Sequence, residues 1–546
     1  LPMADNSELH LVTEEWPHGC DDGEGWTDGL CFCDAFAEHS RLTPQSVAID
    51  VVDGASITYD ELHLQALILA AVLHAAPTER GDLIGLMLER GVFFIVGLLG
   101  SLMVNAAVVP LDPAYPAQRL HAMVTSVGIC RLLATSQLQS DPYPVSTAEH
   151  STNASDRCPV LHIDKLSSEL LGTPPSLVRA CLDDPMYAIF TSGSTGRPKA
   201  VLVQHRSAMN VATAFIKKWS VGAQDRCFQF FSPSFDPSML DYMLSMASGA
   251  SLVLWHGAWD DALYRSRATI SGLTPSALAA VDSARLPQLR LLMVGGEALS
   301  LSLGLEWSAR LPLLNVYGPT EATIWATSHF VKPTDALVSI GRPLPRYACY
   351  VLDDELEPQP VGVLGELHIC GVGVALGYIN QPELTKARFV PNPFGEGCAY
   401  KTGDLARWTR DGQLVCAGRT DYQVKLRGHR VELGEVESCA MLNPEVTDAA
   451  AILDAHRIVL FVVPATSDVG SLTAHLTARL PSYMIPAAVL LLSSMPLSAS
   501  GKRNLHALRE MASPSAPQTK AVVPVQTIAE DRGDGLLYIV VEELQS

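Results

Sequence analysis

The 546-residue sequence has no apolar run long enough to cross a bilayer. Its greasiest stretch, residues 92–104, falls short of the ~20 residues that a spanning helix needs and runs on through Asn105 towards a proline, so a buried helix is expected there. There is no CxxC pair and no Cys/His cluster at zinc-ligand spacing. Of twelve cysteines only Cys31 and Cys33 stand close together, a pattern that suits free thiols in a reducing compartment. The start, LPMADNSELHLVTEEW, lacks the basic-then-apolar pattern of a secretion signal, which leads to the expectation of a cytoplasmic enzyme or a piece of one. Positive charge is scarce as well: 38 Lys and Arg stand against 58 Asp and Glu, a net charge of −20. That balance argues against bulk nucleic acid or an anionic membrane as partner, while leaving room for a local basic site.

What is present is material for large cores. Hydrophobic residues make up 48% and charged residues 18%, which excludes a disordered chain, and the length exceeds what one core supports. Helical periodicity opens at Phe32, and a strand is expected over 47–52. Thr58 and Glu61 form a capping box for a helix running to His74. Strands are then expected over 83–88, 107–111, 228–231, 251–255, 291–294 and 313–317, with helices between them and a surface loop over about 136–160. Such alternation predicts a largely parallel, covered sheet. Beyond about residue 340 the strands become shorter and richer in Gly and Pro, over 349–352, 365–370 and 414–417, which suits a β-rich subdomain.

Residues 187–201, YAIFTSGSTGRPKAV, carry the first chemical signal. An apolar strand hands over to a loop in which Gly193 and Gly196 free the backbone, so that amides can converge on an anion. Thr191, Ser192, Ser194 and Thr195 add hydroxyls there, and Arg197 and Lys199 add charge. The loop suits a polyphosphate. It is not a Walker loop, because its glycines are three apart and Lys199 precedes Ala200. A Gly/Ser linker is the bland alternative, but linkers seldom follow a buried strand so directly. A second stretch, GRTDYQVKLRGHRVELGEVE at 418–437, is strand-like with a helix starting near Glu432; its charge pattern alone reads as an exposed hairpin.

Read in order, ITYDEL, VVPLDPAYP, the loop at Thr191, SFDPSMLD, NVYGPTEAT, GELHICGVGVALGY, YKTGDL, GRTDYQVKLRGHRVELGE, LPSYMIP and SASGKRNL resemble the motifs of adenylation domains of nonribosomal peptide synthetases, in the acyl-adenylate-forming superfamily. The resemblance covers about 57–505. It departs at Ala200, where glycine is common, at Leu240-Asp241, where Trp-Glu is common, and at Ser500, where asparagine is common. It implies an α/β fold: a large N-terminal domain of α/β subdomains plus a β-rich subdomain, with a small mobile α+β C-terminal domain. The implied boundaries are a linker at 1–30, the large core at 31–420, the small domain at 421–512, and a linker and tail at 513–546.

By that resemblance the reaction is carboxylate plus ATP giving acyl-adenylate and pyrophosphate, followed by transfer of the acyl group to a phosphopantetheine thiol. Thr191, Ser192, Gly193, Ser194, Thr195, Gly196 and Lys199 would hold the β,γ-phosphates. Glu321 would bind Mg²⁺, and Thr320 would donate to the α-phosphate. Tyr317 would stack on adenine near Gly295, Gly296 and Glu297, while Asp404, assisted by Arg419, would accept the ribose hydroxyls. Lys502 would bridge the carboxylate and the α-phosphate, and Asp421 would be the hinge of the small domain. Asp236 would pair with a substrate α-ammonium, which implies an α-amino acid.

The same resemblance assigns the side-chain pocket to Pro237, Leu240, Gly272, Met293, Gly295, Val316, Ile324 and Trp325. None is charged, which disfavours a charged side chain. The two glycines imply depth, from which Met293 and Trp325 take some back. The expectation is a bulky, neutral, nonproteinogenic amino acid such as the acylated hydroxyornithine of fungal siderophore synthetases, with an aromatic or long aliphatic residue fitting nearly as well. The implied partners are a peptidyl carrier domain and neighbouring synthetase domains. No serine-bearing carrier motif follows Leu505, so the acceptor is expected elsewhere. The competing readings are a stand-alone acyl-CoA or aryl-acid ligase and a noncatalytic assembly-line remnant.

Overall fold

Strand–helix alternation resolves, in a computed structural model, into two sheets with parallel cores. The structure describes residues 10–19, 30–76, 78–137, 158–166, 179–193, 197–420, 423–454, 456–496 and 503–512. The chain divides into two compact units, one of Leu1–Pro113, Val124–Phe190 and Ala200–Asp421, the other of Ala114–Met123, Thr191–Lys199 and Tyr422–Ser546.

In the first unit a nine-stranded sheet places Leu313–Tyr317, Leu291–Val294, Ile270–Leu273, Arg226–Phe228, Ser251–Leu254 and Val47–Val51 side by side, all parallel. Antiparallel strands Thr327–Phe330 and Ser56–Thr58 flank that core. A seven-stranded sheet has Pro185–Thr191, Ala107–Pro110, Leu83–Leu86, Arg131–Ala134 and Val160–His162 as its parallel run. The apolar segment at 92–104 forms the helix Val92–Met103, most of it buried against these sheets rather than exposed to lipid. Among the described residues no helix is long and apolar enough to cross a membrane. A five-stranded antiparallel sheet built on Tyr347–Leu352, Gly365–Gly371 and Cys398–Trp408 supplies the β-rich part.

One sequence expectation is corrected here. Residues 1–30 read as linker, yet Val12 and Trp16 are buried in the principal core, and the Trp16 ring lies 5.9 Å from that of Trp408. Gly19 N–H donates to the Tyr347 carbonyl at 2.9 Å, tying the same segment to the antiparallel sheet.

The second unit holds the hairpin Gln423–Leu426/His429–Glu432 and a three-stranded sheet of Asp448–Asp454, Arg457–Val463 and Ala488–Leu491. Helices Leu433–Met441, Val469–Thr477 and Leu505–Ala512 pack around it, with separate apolar clusters on the two faces of the sheet. The helix expected near Glu432 begins at Leu433 with Glu432 as its N-cap residue.

Candidate active site

Parallel sheets present ligand sites beyond the carboxyl ends of their strands. In the nine-stranded sheet those ends carry Gly272, Met293, Gly295 and Val316. Side chains alternate along a strand, so Met293 and Gly295 share a face, as do Leu314 and Val316. That face meets the helix Asp236–Met246, because Ile270, Leu291, Met293, Leu314 and Val316 belong to one buried cluster with Met239, Leu240 and Met243. Pro237 stands in the first turn of the helix, where its missing N–H costs nothing. Asp236 and Leu240 are four residues apart and share a helix face.

Asp236 is 8% exposed, and its Oδ2 has no hydrogen-bond partner among the described residues. Burial raises its pKa to about 7; a hydrogen bond from Thr320 works in the opposite direction, and the nearby Glu321 charge raises it further. A buried carboxyl with an unsatisfied oxygen fits a ligand that brings its own positive charge. Tyr187 is a feature that the sequence did not single out. It is fully buried, its hydroxyl has no partner among the described residues, and the Asp236 charge adds to burial in pushing its phenol well up.

The segment from Tyr317 to Trp325 is tightly constrained. A Cβ on Gly318 would lie 2.4 Å from the Ile324 carbonyl oxygen, so only glycine fits. Thr320–Ala322 form one 3₁₀ turn, after which Thr323 and Ile324 both adopt left-handed angles, φ +56° and +68°. For a β-branched residue such as Ile324 this is a strained conformation. It is held by Thr323 Oγ1 donating to the Gly373 carbonyl at 2.6 Å. Glu321 is 0% exposed, and the Tyr378 hydroxyl donates to its Oε1 at 2.7 Å. Tyr378 lies inside a motif read from the sequence, but its role depends on tertiary packing that no local pattern encodes.

Among the described residues no group of three or more His, Cys, Asp or Glu is arranged to hold a metal. Mg²⁺ is ordinarily held by one or two carboxylates together with phosphate oxygens and water, and a single buried Glu321 fits that mode.

At the other end of this segment, Tyr317 hydroxyl donates to Asp404 Oδ2 at 2.5 Å, and Arg419 Nη1 donates to Asp404 Oδ1 at 2.7 Å. Asp404 and Arg419 face each other across the antiparallel strands Cys398–Trp408 and Leu414–Arg419, which explains the pairing. Arg419 also donates to the Thr402 carbonyl at 3.0 Å. The sequence assigned both Asp404 and Arg419 to the ribose; their direct pairing and the Tyr317 hydrogen bond are structural findings. Gly296 has φ +84°, and the Glu297 carboxylate accepts from Ser276 N–H at 3.0 Å, at the start of the short helix Pro275–Leu278.

The glycines assigned to the side-chain pocket are closely approached by rings, Trp325 as expected and Phe231 in addition. A Cβ at Gly272 would stand 3.0 Å from Phe231 Cε2. At Gly295 it would stand 2.8 Å from Trp325 Cη2 and 2.7 Å from the Val316 carbonyl oxygen. The space that each glycine leaves is therefore taken by a ring. Pro237, Leu240, Met293, Val316, Ile324 and Trp325 are all buried in the same unit.

In the second unit, a Cβ on Gly193 would meet the Arg197 carbonyl oxygen at 2.0 Å, so Gly193 has no room for a side chain. Ser192 Oγ donates to the Arg430 carbonyl at 2.7 Å and accepts from Glu432 N–H at 3.2 Å. Lys199 is buried, and Thr191 Oγ1 lies 3.5 Å from the Lys199 carbonyl. Ser194, Thr195, Gly196, Asp421 and Lys502 lie outside the described residues.

Two sheets with parallel cores, a fully buried Glu321 and a separate buried Asp236 with one unsatisfied oxygen among the described residues occur here in a chain whose relatives are adenylate-forming ligases. The chain belongs to the AMP-binding enzyme family: the family model matches residues 36–379, and that of the AMP-binding enzyme C-terminal domain matches 435–502. It is 36% identical over 553 residues to a linear gramicidin synthase of Brevibacillus parabrevis, covering 96% of this chain and 11% of that protein. The chain thus spans about a tenth of that relative's length. Among solved structures it is similar to holo-PA1221, an NRPS protein containing adenylation and PCP domains bound to a vinylsulfonamide inhibitor. That likeness has a TM-score of 0.76 and 26% identity and covers 92% of this chain and 85% of that one. The AMPPNP-bound form of the nonribosomal peptide synthetase FmoA3 matches with a TM-score of 0.66 and 29% identity, over 77% of this chain and 46% of the other. These relatives give no support for siderophore assembly in particular.

Proposed function

We propose that the chain activates an uncharged α-amino acid with ATP and passes the aminoacyl group to the phosphopantetheine thiol of a peptidyl carrier domain, as the adenylation domain of a nonribosomal peptide synthetase. The observation that carries the amino-acid reading is the buried Asp236 carboxyl, whose Oδ2 has no partner among the described residues. An aryl or fatty acid brings no cation to that oxygen, whereas an α-ammonium does. The carrier and the neighbouring synthetase domains are supported by relatives that are multidomain synthetases.

In the first half-reaction a substrate carboxylate oxygen attacks the α-phosphorus of ATP and pyrophosphate leaves. Both reactants are negatively charged, so the protein supplies alignment and positive charge more than acid–base groups. Asp236 fixes the ammonium and thereby aims the carboxylate. Thr320, already bonded to Asp236, is placed in our reading to donate to the α-phosphate. Glu321 would hold Mg²⁺, which neutralises charge on the phosphates. Asp404, held on both oxygens by Tyr317 and Arg419, accepts from the ribose, and Tyr317 packs on adenine near Gly295, Gly296 and Glu297. Thr191, Ser192, Gly193, Ser194, Thr195, Gly196 and Lys199 grip the β,γ-phosphates. In the second half-reaction the thiolate sulfur attacks the acyl carbon and AMP leaves, after a rotation of the C-terminal domain about Asp421.

ATP–pyrophosphate exchange across a panel of amino acids, aryl acids and fatty acids tests the reading; exchange driven only by the non-amino acids would refute it. Asp404→Ala removes an acceptor of charged hydrogen bonds, each worth about 1.5–3 kcal/mol. It is expected to raise the KM for ATP by roughly ten- to a hundredfold while changing the amino-acid KM little. Equal effects on both KM values would count against the ribose assignment.

The Asp236 carboxyl also sets a pH dependence. Before an amino acid binds it titrates near 7, so below that pH it is neutral and must lose its proton before it can pair with an ammonium. The amino-acid KM is expected to be flat above about pH 7.5 and to rise up to about tenfold per unit below pH 6.5. Its stability contribution has the opposite sense. A raised acid pKa favours the ligand-free fold at low pH and is lost as pH rises through about 7, so Asp236→Asn should gain more melting temperature over wild type at pH 8 than at pH 5. A KM profile independent of pH between 5.5 and 8 would contradict both.

A further inference from the structure

We propose that Phe231, which stands outside the strand-borne pocket positions, is the residue that closes the side-chain end of the amino-acid site and restricts the substrate to a short uncharged side chain. This rests on the amino-acid reading of Asp236 given above. Three observations lead to it.

The first is geometric. Gly272 is paired in register with Met293, and side chains at paired positions of neighbouring parallel strands project from the same face of the sheet. The direction in which a Gly272 side chain would project is therefore the face that meets the helix begun by Asp236. A Cβ built there meets Phe231 Cε2 at 3.0 Å, so the phenyl ring lies directly over the glycine on the substrate side. The second is that the neighbouring glycine is covered in the same manner. Trp325 Cη2 and Val316 Cγ2 stand 2.8 and 2.9 Å from where a Gly295 Cβ would be. Two rings thus occupy the two places at which the strands themselves give way.

The third is that the Phe231 backbone is held firmly. Arg90 Nη2 donates to the Phe231 carbonyl at 3.2 Å and to the Phe230 carbonyl at 2.9 Å, and the Gln229 side-chain amide donates to the Phe231 carbonyl as well. The Arg90 guanidinium is itself seated on Trp255, 3.9 Å from the ring centroid. Phe231 also packs edge-on against Phe230, with centroids 5.2 Å apart. A ring fixed at its backbone and along its edge acts as a wall of defined position, and a wall of this kind discriminates by size. One methylene too many in an apolar pocket changes kcat/KM by about 10- to 200-fold.

The test is pyrophosphate exchange by wild type, Phe231→Ala and Phe231→Leu with glycine, alanine, valine, leucine, phenylalanine and N5-acyl-N5-hydroxyornithine. Wild type is expected to favour the short members. Phe231→Ala is expected to raise kcat/KM for phenylalanine relative to alanine by at least about tenfold. Phe231→Leu, which keeps most of the volume and guards against a misfolded alanine variant, is expected to give a smaller shift in the same direction. The proposal is overturned, with the amino-acid reading intact, if neither variant raises kcat/KM for phenylalanine relative to alanine above the wild-type ratio, or if wild type itself prefers the long side chains. If wild type exchanges with aryl or fatty acids and with no amino acid, the parent reading falls and this proposal falls with it.

Discussion

Asp236→Ala is expected to lower kcat/KM for the amino acid by roughly two to four orders of magnitude, the scale of about 3–5 kcal/mol for removing one partner of a buried ion pair. The large value follows from where the charge sits. The carboxyl is nearly inaccessible, and one of its oxygens is unsatisfied among the described residues, so water cannot take over the work of the missing group. Asp236→Asn separates shape from charge: it keeps the volume and a hydrogen-bond acceptor but not the anion, and is expected to lose nearly as much. The measurement is amino-acid-dependent pyrophosphate exchange, with ATP binding followed separately. ATP affinity is expected to change little, since the ribose is assigned to Asp404. Amino-acid activation that survives both substitutions would remove the basis of the proposed function.

Lys502→Ala is the second large effect, with an expected loss of at least about a hundredfold in adenylate formation and ATP binding largely retained. The physical case is electrostatic. A carboxylate approaching an α-phosphate brings two anions together, and negative charge builds on the phosphate oxygens as the new bond forms. A lysine bridging both sides is stronger at that moment than before it, which is the condition for lowering the barrier rather than only improving binding. Lys502→Arg keeps the charge and alters the reach, so it is expected to recover only part of the rate. Pyrophosphate exchange beside equilibrium ATP binding separates the two roles, and near-normal exchange in the alanine variant would return Lys502 to ordinary surface.

Much of the fold could be read from local pattern where burial is complete. Leu291–Val294 and Leu313–Tyr317 are found over the same residues as expected, because strands covered on both faces appear as short apolar runs ended by Gly or Pro. The Thr58–Glu61 capping box is present with both of its reciprocal bonds. Errors arise where apolar residues serve something other than a strand. The run expected over 228–231 stops pairing at Phe228, and Phe230 and Phe231 leave the sheet and pack edge-on against each other; in sequence the two uses look alike. Trp16 was unreadable for a different reason, since its partner Trp408 lies hundreds of residues away.

The site divides along the same line. Asp236, Glu321 and Asp404 could be proposed because short motifs surround them. Tyr378 on Glu321 and Tyr317 on Asp404 were not, since those bonds join segments whose meeting depends on the whole fold. Trp325 beside Gly295 was named in the sequence, whereas the approach of Phe231 to Gly272 was not, since Phe231 reaches that strand from outside the motifs.

The consecutive left-handed residues Thr323 and Ile324, fixed by Gly318 on one side and Gly373 on the other, bear on how such a protein can change. They hold the backbone that carries both Glu321 and Trp325, so that path has little freedom to drift. On the proposals above, selectivity would be carried instead by side chains resting on it, at Trp325, and on a different segment, at Phe231. Catalysis and choice of substrate would thereby be separable. On the reading proposed above, exchanging either ring would alter specificity without disturbing the strained loop that carries Glu321.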